Sequence, residues 1–134
     1  MVIQSTIGPS NYFKDHLKSE EYLEKAEFLP YLNNEKDHPK SNSNKKRFEA
    51  LNYLAMIKFS RDPIIYPLES AWFGESLPDG RVVPMEQTQI YKSNTFGLKT
   101  LNEQSRIGKH EIDGEHLQYG PEHIQSIIVP ELKK

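Results

Sequence analysis

Cysteine is absent from the 134-residue chain, and its absence removes several kinds of chemistry at once. A chain without thiols forms no disulfide, offers no thiolate nucleophile and builds no cysteine-ligated zinc or iron–sulfur centre. The absence of cysteine does not identify the cellular compartment, because a secreted segment need not carry cysteine.

Long apolar runs and an excess of basic charge are also missing. No stretch approaches the roughly 20 apolar residues of a membrane-spanning helix. Seventeen basic and nineteen acidic residues give a net charge of −2, and the basic residues are scattered. The sequence therefore predicts neither a transmembrane segment nor a nucleic-acid partner. Residues 1–10 show no basic region followed by an apolar run, so we expect no signal peptide in this chain.

Motifs for bound cofactors are absent as well. The sequence contains no P-loop and no G-x-G-x-x-G. Four of the five histidines are His16, His38, His110 and His123, and they form neither an H-x-H pair nor an H-E-x-x-H motif. We therefore expect no cofactor and no metal site.

The apolar residues, 36% of the chain, form short segments. We predict helices at 20–26 (with Ser19 as N-cap), 45–53, 69–73, 86–91 and 121–129, and a helical turn within 97–104. Five of the six residues from Leu54 to Phe59 are apolar, which is typical of a strand buried on both faces of a parallel sheet. The pattern of residues 106–112 predicts a second, weaker strand. Residues 1–18 and 33–46 are expected to be a connector and an exposed, mobile loop.

The predicted fold is α/β, in one domain, with one strong strand, one weak strand and short helices. A sheet of two strands is marginal in water, and it would leave the strand at 54–59 half uncovered. Either further strands escape detection, or part of the fold lies on another polypeptide or a missing segment.

Two polar residues follow the two predicted strands. Asp62 comes directly after the strong strand, where doubly wound sheets place catalytic groups, although an Asp before a proline commonly just caps a turn. His116 lies in the loop after the weak strand, and the order of acid before base matches an α/β-hydrolase triad. A single loop histidine can equally be an ordinary polar group. From position alone, we favour a turn cap for Asp62 and an ordinary polar group for His116.

Two further features bear on a site. The aromatic pair Trp72 and Phe73 could line a substrate groove or simply cover the sheet, which is the more common role. None of the eleven serines lies in G-x-S-x-G, so the chain shows no sign of a nucleophile elbow.

Several segments occur in an order that is found in a known family. They are Phe28–Glu35, Phe59–Gly74, Glu86–Thr88 with Tyr91, Gly97–Lys99, Gly114–Gln118 and Ile127–Pro130. Together they resemble the palmitoyl-protein thioesterases, a family of α/β-hydrolases, and the block Trp72-Phe73-Gly74 is the most specific of them. The resemblance covers roughly residues 11–132.

The resemblance implies that residues 19–134 form the C-terminal part of an α/β-hydrolase domain. It assigns Asp62 as the acid and His116 as the base of a Ser-Asp-His triad. The family hydrolyses the thioester between a long-chain fatty acyl group and a protein cysteine, and it is lysosomal or secreted. Two departures are a segment before His116 that is polar for a buried strand, and Glu115 in place of Asp or Asn.

Two hypotheses follow. In the first, the chain is part of an active thioesterase for S-acylated proteins, and a second chain or segment supplies the N-terminal half. In the second, it is a non-catalytic remnant that serves as a binding or structural subunit. Either way, we expect the 134 residues alone to be inactive, because they hold no serine nucleophile.

Overall fold

The computed structural model describes residues 14–133. The first half of this region contains helices α1 (Ser19–Lys25), α2 (Leu29–Leu32) and α3 (Ser41–Glu49), then strand β1 (Leu54–Phe59). After β1 come a 3-10 turn (Leu68–Trp72) and the short strands β2 (Glu75–Ser76) and β3 (Val82–Val83). These are followed by a second 3-10 turn (Met85–Gln87), α4 (Gln89–Lys92), α5 (Leu98–Glu103) and β4 (Ile107–Ile112). The chain closes with α6 (Pro121–His123), a π-helical turn (Ile124–Ile128) and α7 (Val129–Glu131).

The main sheet consists of β1 and β4, which pair in parallel. Their register runs from Leu54 opposite Ile107 to Phe59 opposite Ile112. Parallel strands need a long crossover, and the helices between β1 and β4 provide it. Both predicted strands are thereby confirmed, and the mixture of short helices with a small parallel sheet agrees with a partial α/β fold.

The prediction that β1 is buried on both faces was only partly correct. Met56 and Phe59 are buried, whereas Leu54 and Ile57 are half-buried and Ala55 is exposed. The face that carries Met56 packs on the core, and the final helical segment lies across part of the opposite face. That cover is loose, because a cavity of about 300 Å³ remains between them, lined by Tyr53, Ala55, Ile57, Ile127, Ile128, Glu131 and Leu132.

The hydrophobic core lies on the Met56 face of the sheet. Its buried members are Met56, Met85, Tyr91, Phe96 and Leu98. Phe48 of α3 packs edge-on against Phe96, with ring centroids 4.9 Å apart. This cluster supports the strand that leads to the first candidate catalytic loop.

Several predicted helix ends differ from the observed ones. Helix α1 starts at Ser19 itself, with Lys18 as N-cap. Helix α3 starts at Ser41 rather than 45, so part of the stretch predicted as a mobile loop is helical. The first turn of α3 is polar and carries no apolar periodicity, which is why the sequence pattern missed it. Residues 1–13 of the predicted connector lie outside the described residues, and residues 14–18 contain only a turn.

The last helical segment runs past Pro130 to Glu131, although the predicted helix ends at residue 129. The N–H of Val129 donates to the carbonyl of Ile124, five residues earlier, so the helix widens into a π turn. Pro130 lacks an N–H and follows this turn, and Leu132 N–H then donates to Ile128 in the ordinary α pattern. The wider turn lets the helical segment pass a residue that normally interrupts it.

The β2–β3 hairpin was not predicted, because strands of two residues show no alternation. Glu75 pairs with Val83 and Ser76 with Val82. Just before it, Phe73 takes the left-handed conformation (φ 60°) that closes the 3-10 turn. Gly74 is instead required by space, since a Cβ there would lie 2.7 Å from Glu69 Cβ and 2.8 Å from Val83 O.

None of the helices in residues 14–133 has the length and apolar character needed to cross a bilayer.

Candidate active site

The candidate site is built on the two loops that leave β1 and β4. Because the strands are parallel and end in register, these loops start side by side. Ser60 N–H donates to Ile112 O at 2.9 Å, and Arg61 N–H donates to Gly114 O at 3.0 Å. Backbone hydrogen bonds therefore continue past the strands and fix one loop against the other.

Asp62 occupies the first loop and uses its two carboxylate oxygens differently. Oδ1 accepts from the backbone N–H of Ile64 at 2.8 Å and of Ile65 at 3.1 Å. Oδ2 lies 2.7 Å from Nδ1 of His116. The turn-capping interpretation of Asp62 and the catalytic one are therefore compatible, because the cap orients the carboxylate toward the imidazole.

His116 occupies the second loop, within a tight turn. Gln118 holds this turn, because its side-chain Oε1 accepts from Glu115 N–H and its own N–H donates to Glu115 O, both at 2.9 Å. Leu117 adopts a left-handed conformation, with φ 57°. The reversal of the chain at Leu117 leaves the imidazole at the end of the sheet, facing Asp62.

Burial and charge define the protonation state of the pair. The Asp62 side chain is 4% exposed and that of His116 is 32% exposed. Burial alone would raise the pKa of Asp62, but hydrogen bonds from His116, Ile64 and Ile65 outweigh it and hold that pKa below its ordinary value. An ionised carboxylate only accepts, so Nδ1 of His116 carries a proton, and in the neutral imidazole Nε2 is then the nitrogen with the free lone pair.

This arrangement can act as a general base toward a hydroxyl presented to Nε2. The Asp fixes the imidazole tautomer, and it can stabilise the imidazolium that forms on proton transfer. Within residues 14–133 no serine hydroxyl is hydrogen-bonded to His116. The described residues thus hold an oriented base and its partner.

A polar cluster beside the pair was missed by the sequence analysis. Asp113 Oδ1 accepts from Ser60 Oγ at 2.9 Å and from the Arg61 guanidinium at 2.6 Å. It ties the residues just before Asp62 to the loop that carries His116. Its members lie 52 and 53 positions apart, so no local spacing could have revealed it.

The two aromatic candidates occupy different surroundings. Trp72 donates its indole N–H to Met56 O at 3.2 Å, and the Lys58 ammonium lies 4.1 Å from its ring centroid. Phe73 packs on Phe96 and also lines an open cavity. A role for either ring in a substrate groove stays a prediction.

Three of the other four histidines lie beside carboxylates or backbone groups. His110 Nε2 lies 3.0 Å from Glu131, His123 lies 3.3 Å from Glu122, and His38 accepts from Lys40 N–H. Across residues 14–133, no group of three His, Asp or Glu side chains has the geometry to hold a metal ion.

Comparison with known proteins gives one consistent result. The profile of the palmitoyl protein thioesterase family matches residues 1–116. Palmitoyl-protein thioesterase 1 of Caenorhabditis elegans is 34% identical over 119 residues, which are 87% of this chain and 39% of the relative. Lysosomal thioesterase PPT2-B of Xenopus laevis is 35% identical over 81% of this chain and 38% of its own length. Lysosomal thioesterase PPT2 of Bos taurus is 36% identical over 68% of this chain and 30% of its own length.

The chain therefore spans well under half the length of the curated relatives that it matches. Both residues of the Asp–His pair fall within the matched residues 1–116.

Proposed function

The chain belongs to the palmitoyl-protein thioesterase family, and from this membership we propose that Asp62 and His116 are the acid and base of thioester hydrolysis. The substrate would be a protein cysteine that carries a long-chain fatty acyl group. The single observation that carries the proposal is the 2.7 Å contact between His116 Nδ1 and Asp62 Oδ2. This contact supports the proposal, because it orients the His116 imidazole and lies within the part of the chain that the family profile covers.

The proposed reaction proceeds in two balanced steps. A serine hydroxyl passes its proton to His116 Nε2 as its oxygen attacks the thioester carbonyl, and the cysteine thiol leaves after taking that proton from the imidazolium. Water then gives a proton to Nε2 as its oxygen attacks the acyl-serine carbonyl, and the serine oxygen leaves after taking that proton back from the imidazolium, which releases the fatty acid and restores the serine hydroxyl. Asp62 stabilises the imidazolium in both steps.

The serine is proposed to come from a segment that complements these 134 residues, either on the same polypeptide or on a second chain. The 134 residues contain no G-x-S-x-G. Strand β1 supports such a complement, because within the described residues its sheet holds only β1 and β4. The edge of β1 opposite β4 would receive the rest of the sheet.

Exposed apolar side chains flank the pair and suit an acyl substrate or the complementing segment. Ile64, two residues after Asp62, is 67% exposed, and Leu117, next to His116, is 63% exposed. Larger exposed apolar patches commonly mark ligand grooves or protein–protein contacts. We place the compartment as lysosomal, since two of these relatives are named lysosomal thioesterases.

A chimera tests the proposal directly. The segment of the Caenorhabditis elegans relative that aligns with this chain is replaced by the 134-residue sequence, and hydrolysis of an S-palmitoyl peptide is measured. We expect activity in the chimera, with losses of about 10³–10⁴-fold for Asp62→Asn and His116→Gln. Asp37→Asn, which removes the same charge from an exposed position outside the two loops, serves as the matched control and should retain most of the activity. A folded but inactive chimera, or full activity in His116→Gln, would refute the proposal.

The second candidate function is that of a non-catalytic binding or structural subunit. One observation favours it, namely that none of the eleven serines lies in a nucleophile elbow. The native complex distinguishes the two functions. If a hydrolase activity of that complex is lost on Asp62→Ala or His116→Ala, the non-catalytic interpretation fails.

A further inference from the structure

One residue closes the turn that carries His116 with two hydrogen bonds. Gln118 N–H donates to Glu115 O at 2.9 Å, and the side-chain Oε1 of Gln118 accepts from Glu115 N–H, also at 2.9 Å. Both backbone polar groups of Glu115 therefore bond to a single residue on the other side of the turn. His116 lies between these two residues, so the course of its backbone depends on both bonds.

The residue after His116 holds an unfavourable backbone conformation. Leu117 has φ 57°, in the left-handed region that a bulky side chain rarely adopts. A positive φ at the third position of a four-residue turn is ordinarily supplied by Gly or Asn. The Leu117 side chain is 63% exposed, so packing offers it little compensation. The hydrogen bonds of Gln118 therefore have to hold the turn closed against the strain at Leu117.

Gln118 also links this turn to the loop that carries Asp62. Gly114 is buried, and a Cβ placed on it would lie 3.3 Å from both Cβ and Oε1 of Gln118. The Gln118 side chain thus lies directly against the Gly114 backbone. Gly114 O in turn accepts from the N–H of Arg61, the residue before Asp62, at 3.0 Å. A closed turn and a fixed distance between the two loops therefore go together.

The imidazole of His116 has few other constraints. The side chain is 32% exposed, and within residues 14–133 its single hydrogen bond is the one from Nδ1 to Asp62 Oδ2. The direction of Nε2 therefore depends on where the turn places the Cα–Cβ bond of His116. A small displacement matters, because a reacting group that is misplaced by about 1 Å can cost about 100-fold in rate.

We propose that Gln118 is a positioning residue, which closes the turn against the strain at Leu117 and thereby aims His116 Nε2 at the hydroxyl that it deprotonates. This inference rests on the proposed function, in which His116 is the base. Gln118 acts through the imidazole and contacts no reacting atom. Its loss should therefore lower kcat and leave KM nearly unchanged.

Two substitutions separate the side-chain hydrogen bond from the packing on Gly114. Gln118→Met keeps the length of the side chain but removes the oxygen acceptor, whereas Gln118→Glu keeps an oxygen that can accept from Glu115 N–H. In the chimera, Gln118→Met should lower kcat for the S-palmitoyl peptide about 3- to 10-fold, the range of one neutral hydrogen bond, with KM within about twofold of the parent. Gln118→Glu should restore most of the parent kcat. The matched control, Gln125→Ala at an exposed position of the final helical segment, should match the parent.

The tautomer of His116 reports its position without any catalysis. Long-range ¹H–¹⁵N spectra of the 134-residue chain at about pH 8, where ordinary imidazoles are neutral, distinguish the protonated ring nitrogen from the bare one. In the parent, the proton should be on Nδ1, opposite Asp62. Gln118→Met should add a population with the proton on Nε2, and Gln118→Glu should not. A residue that only stabilised the fold would leave the tautomer of the folded molecules unchanged.

Two results would overturn the inference. One is an unchanged His116 tautomer in Gln118→Met, whatever its kcat, and the other is an equal loss of kcat in Gln118→Met and Gln118→Glu. Failure of the proposed function gives a different result, since His116→Gln would then keep full activity in the chimera while the spectra still reported the effect of Gln118 on the imidazole. Inactivity of His116→Gln combined with a parent-like tautomer in Gln118→Met would reject this inference alone.

Discussion

The carboxylate of Asp62 and the imidazole of His116 lie 2.7 Å apart although 54 positions separate them in the chain. The register of β1 and β4 brings them together, since Phe59 and Ile112 end the two strands opposite each other. Each residue then sits three or four positions beyond its strand, in loops that hydrogen bonds hold against each other. Slippage of β4 by one residue would therefore move His116 away from Asp62.

The pair should make stability depend on pH in the acid range. The folded pKa of Asp62 lies below the unfolded value of roughly 3.9, so between these two pKa values the unfolded chain binds more protons. The contribution of Asp62 is present above the unfolded pKa and is lost as pH falls through the folded pKa. We expect Asp62→Asn to be less stable than the parent at pH 6, with a gap that narrows by pH 3. Urea midpoints across this range measure it.

The control for this experiment is Asp37→Asn, which removes the same charge from an exposed position. Its midpoint should follow that of the parent with pH. If the gap for Asp62→Asn stayed constant from pH 6 to pH 3, the carboxylate would not be stabilised in its ionised form.

The sequence was sufficient for the parts of the fold that rest on local patterns. The apolar run at 54–59 and the weaker one at 106–112 both proved to be strands, in parallel as the first of them suggested. The family resemblance assigns the roles of acid and base to Asp62 and His116, an assignment that stays a proposal, and the profile match supports the family itself. From position alone both residues would have been interpreted as a turn cap and a surface polar group.

What the sequence missed depends on contacts between distant residues. The Asp113 cluster joins positions more than 50 residues apart, and the burial of the polar residue Ser76 arises only in the folded chain. The course of the helix past Pro130 depends on a π turn whose hydrogen bond spans five residues rather than four. Periodicity reports neither kind of feature, because it describes only neighbours along the chain.

Serine-directed probes should leave the isolated 134-residue chain unlabelled. A fluorophosphonate reacts with a serine that a base activates and an oxyanion hole supports, and none of the eleven serines has the elbow motif. Labelling is measured by intact-protein mass spectrometry, with the chimera as the positive control. Stoichiometric labelling of the isolated chain that His116→Gln abolishes would show that one of these serines is a nucleophile.

Truncation of a core leucine should cost far more than truncation of a surface one. Leu98 is fully buried in the cluster on the Met56 face, whereas Leu132 is 81% exposed. We expect Leu98→Ala to lower the free energy of unfolding by about 2–5 kcal/mol. Leu132→Ala should stay within about 0.5 kcal/mol of the parent. Urea unfolding of both variants measures the difference, and equal losses would contradict the position assigned to the core.

Hydrogen exchange along β1 should alternate from residue to residue. Leu54 N–H donates to Arg106 O and Ser60 N–H donates to Ile112 O, so the even-numbered amides of this strand point toward β4. Successive amides of a strand point to opposite sides, which places those of Ala55 and Ile57 on the other edge. That edge meets no further strand within residues 14–133.

We therefore expect the amides of Met56 and Lys58 to exchange at least about 10-fold more slowly than those of Ala55 and Ile57, because only the former are held in the ladder. Amide NMR after transfer into deuterated buffer measures all four rates in one sample. Addition of the complementing segment should slow Ala55 and Ile57 selectively, since a new strand would pair with their edge. Equal protection of all four amides in the isolated chain would mean that this edge is already occupied, and the proposal that it receives the rest of the sheet would then fail.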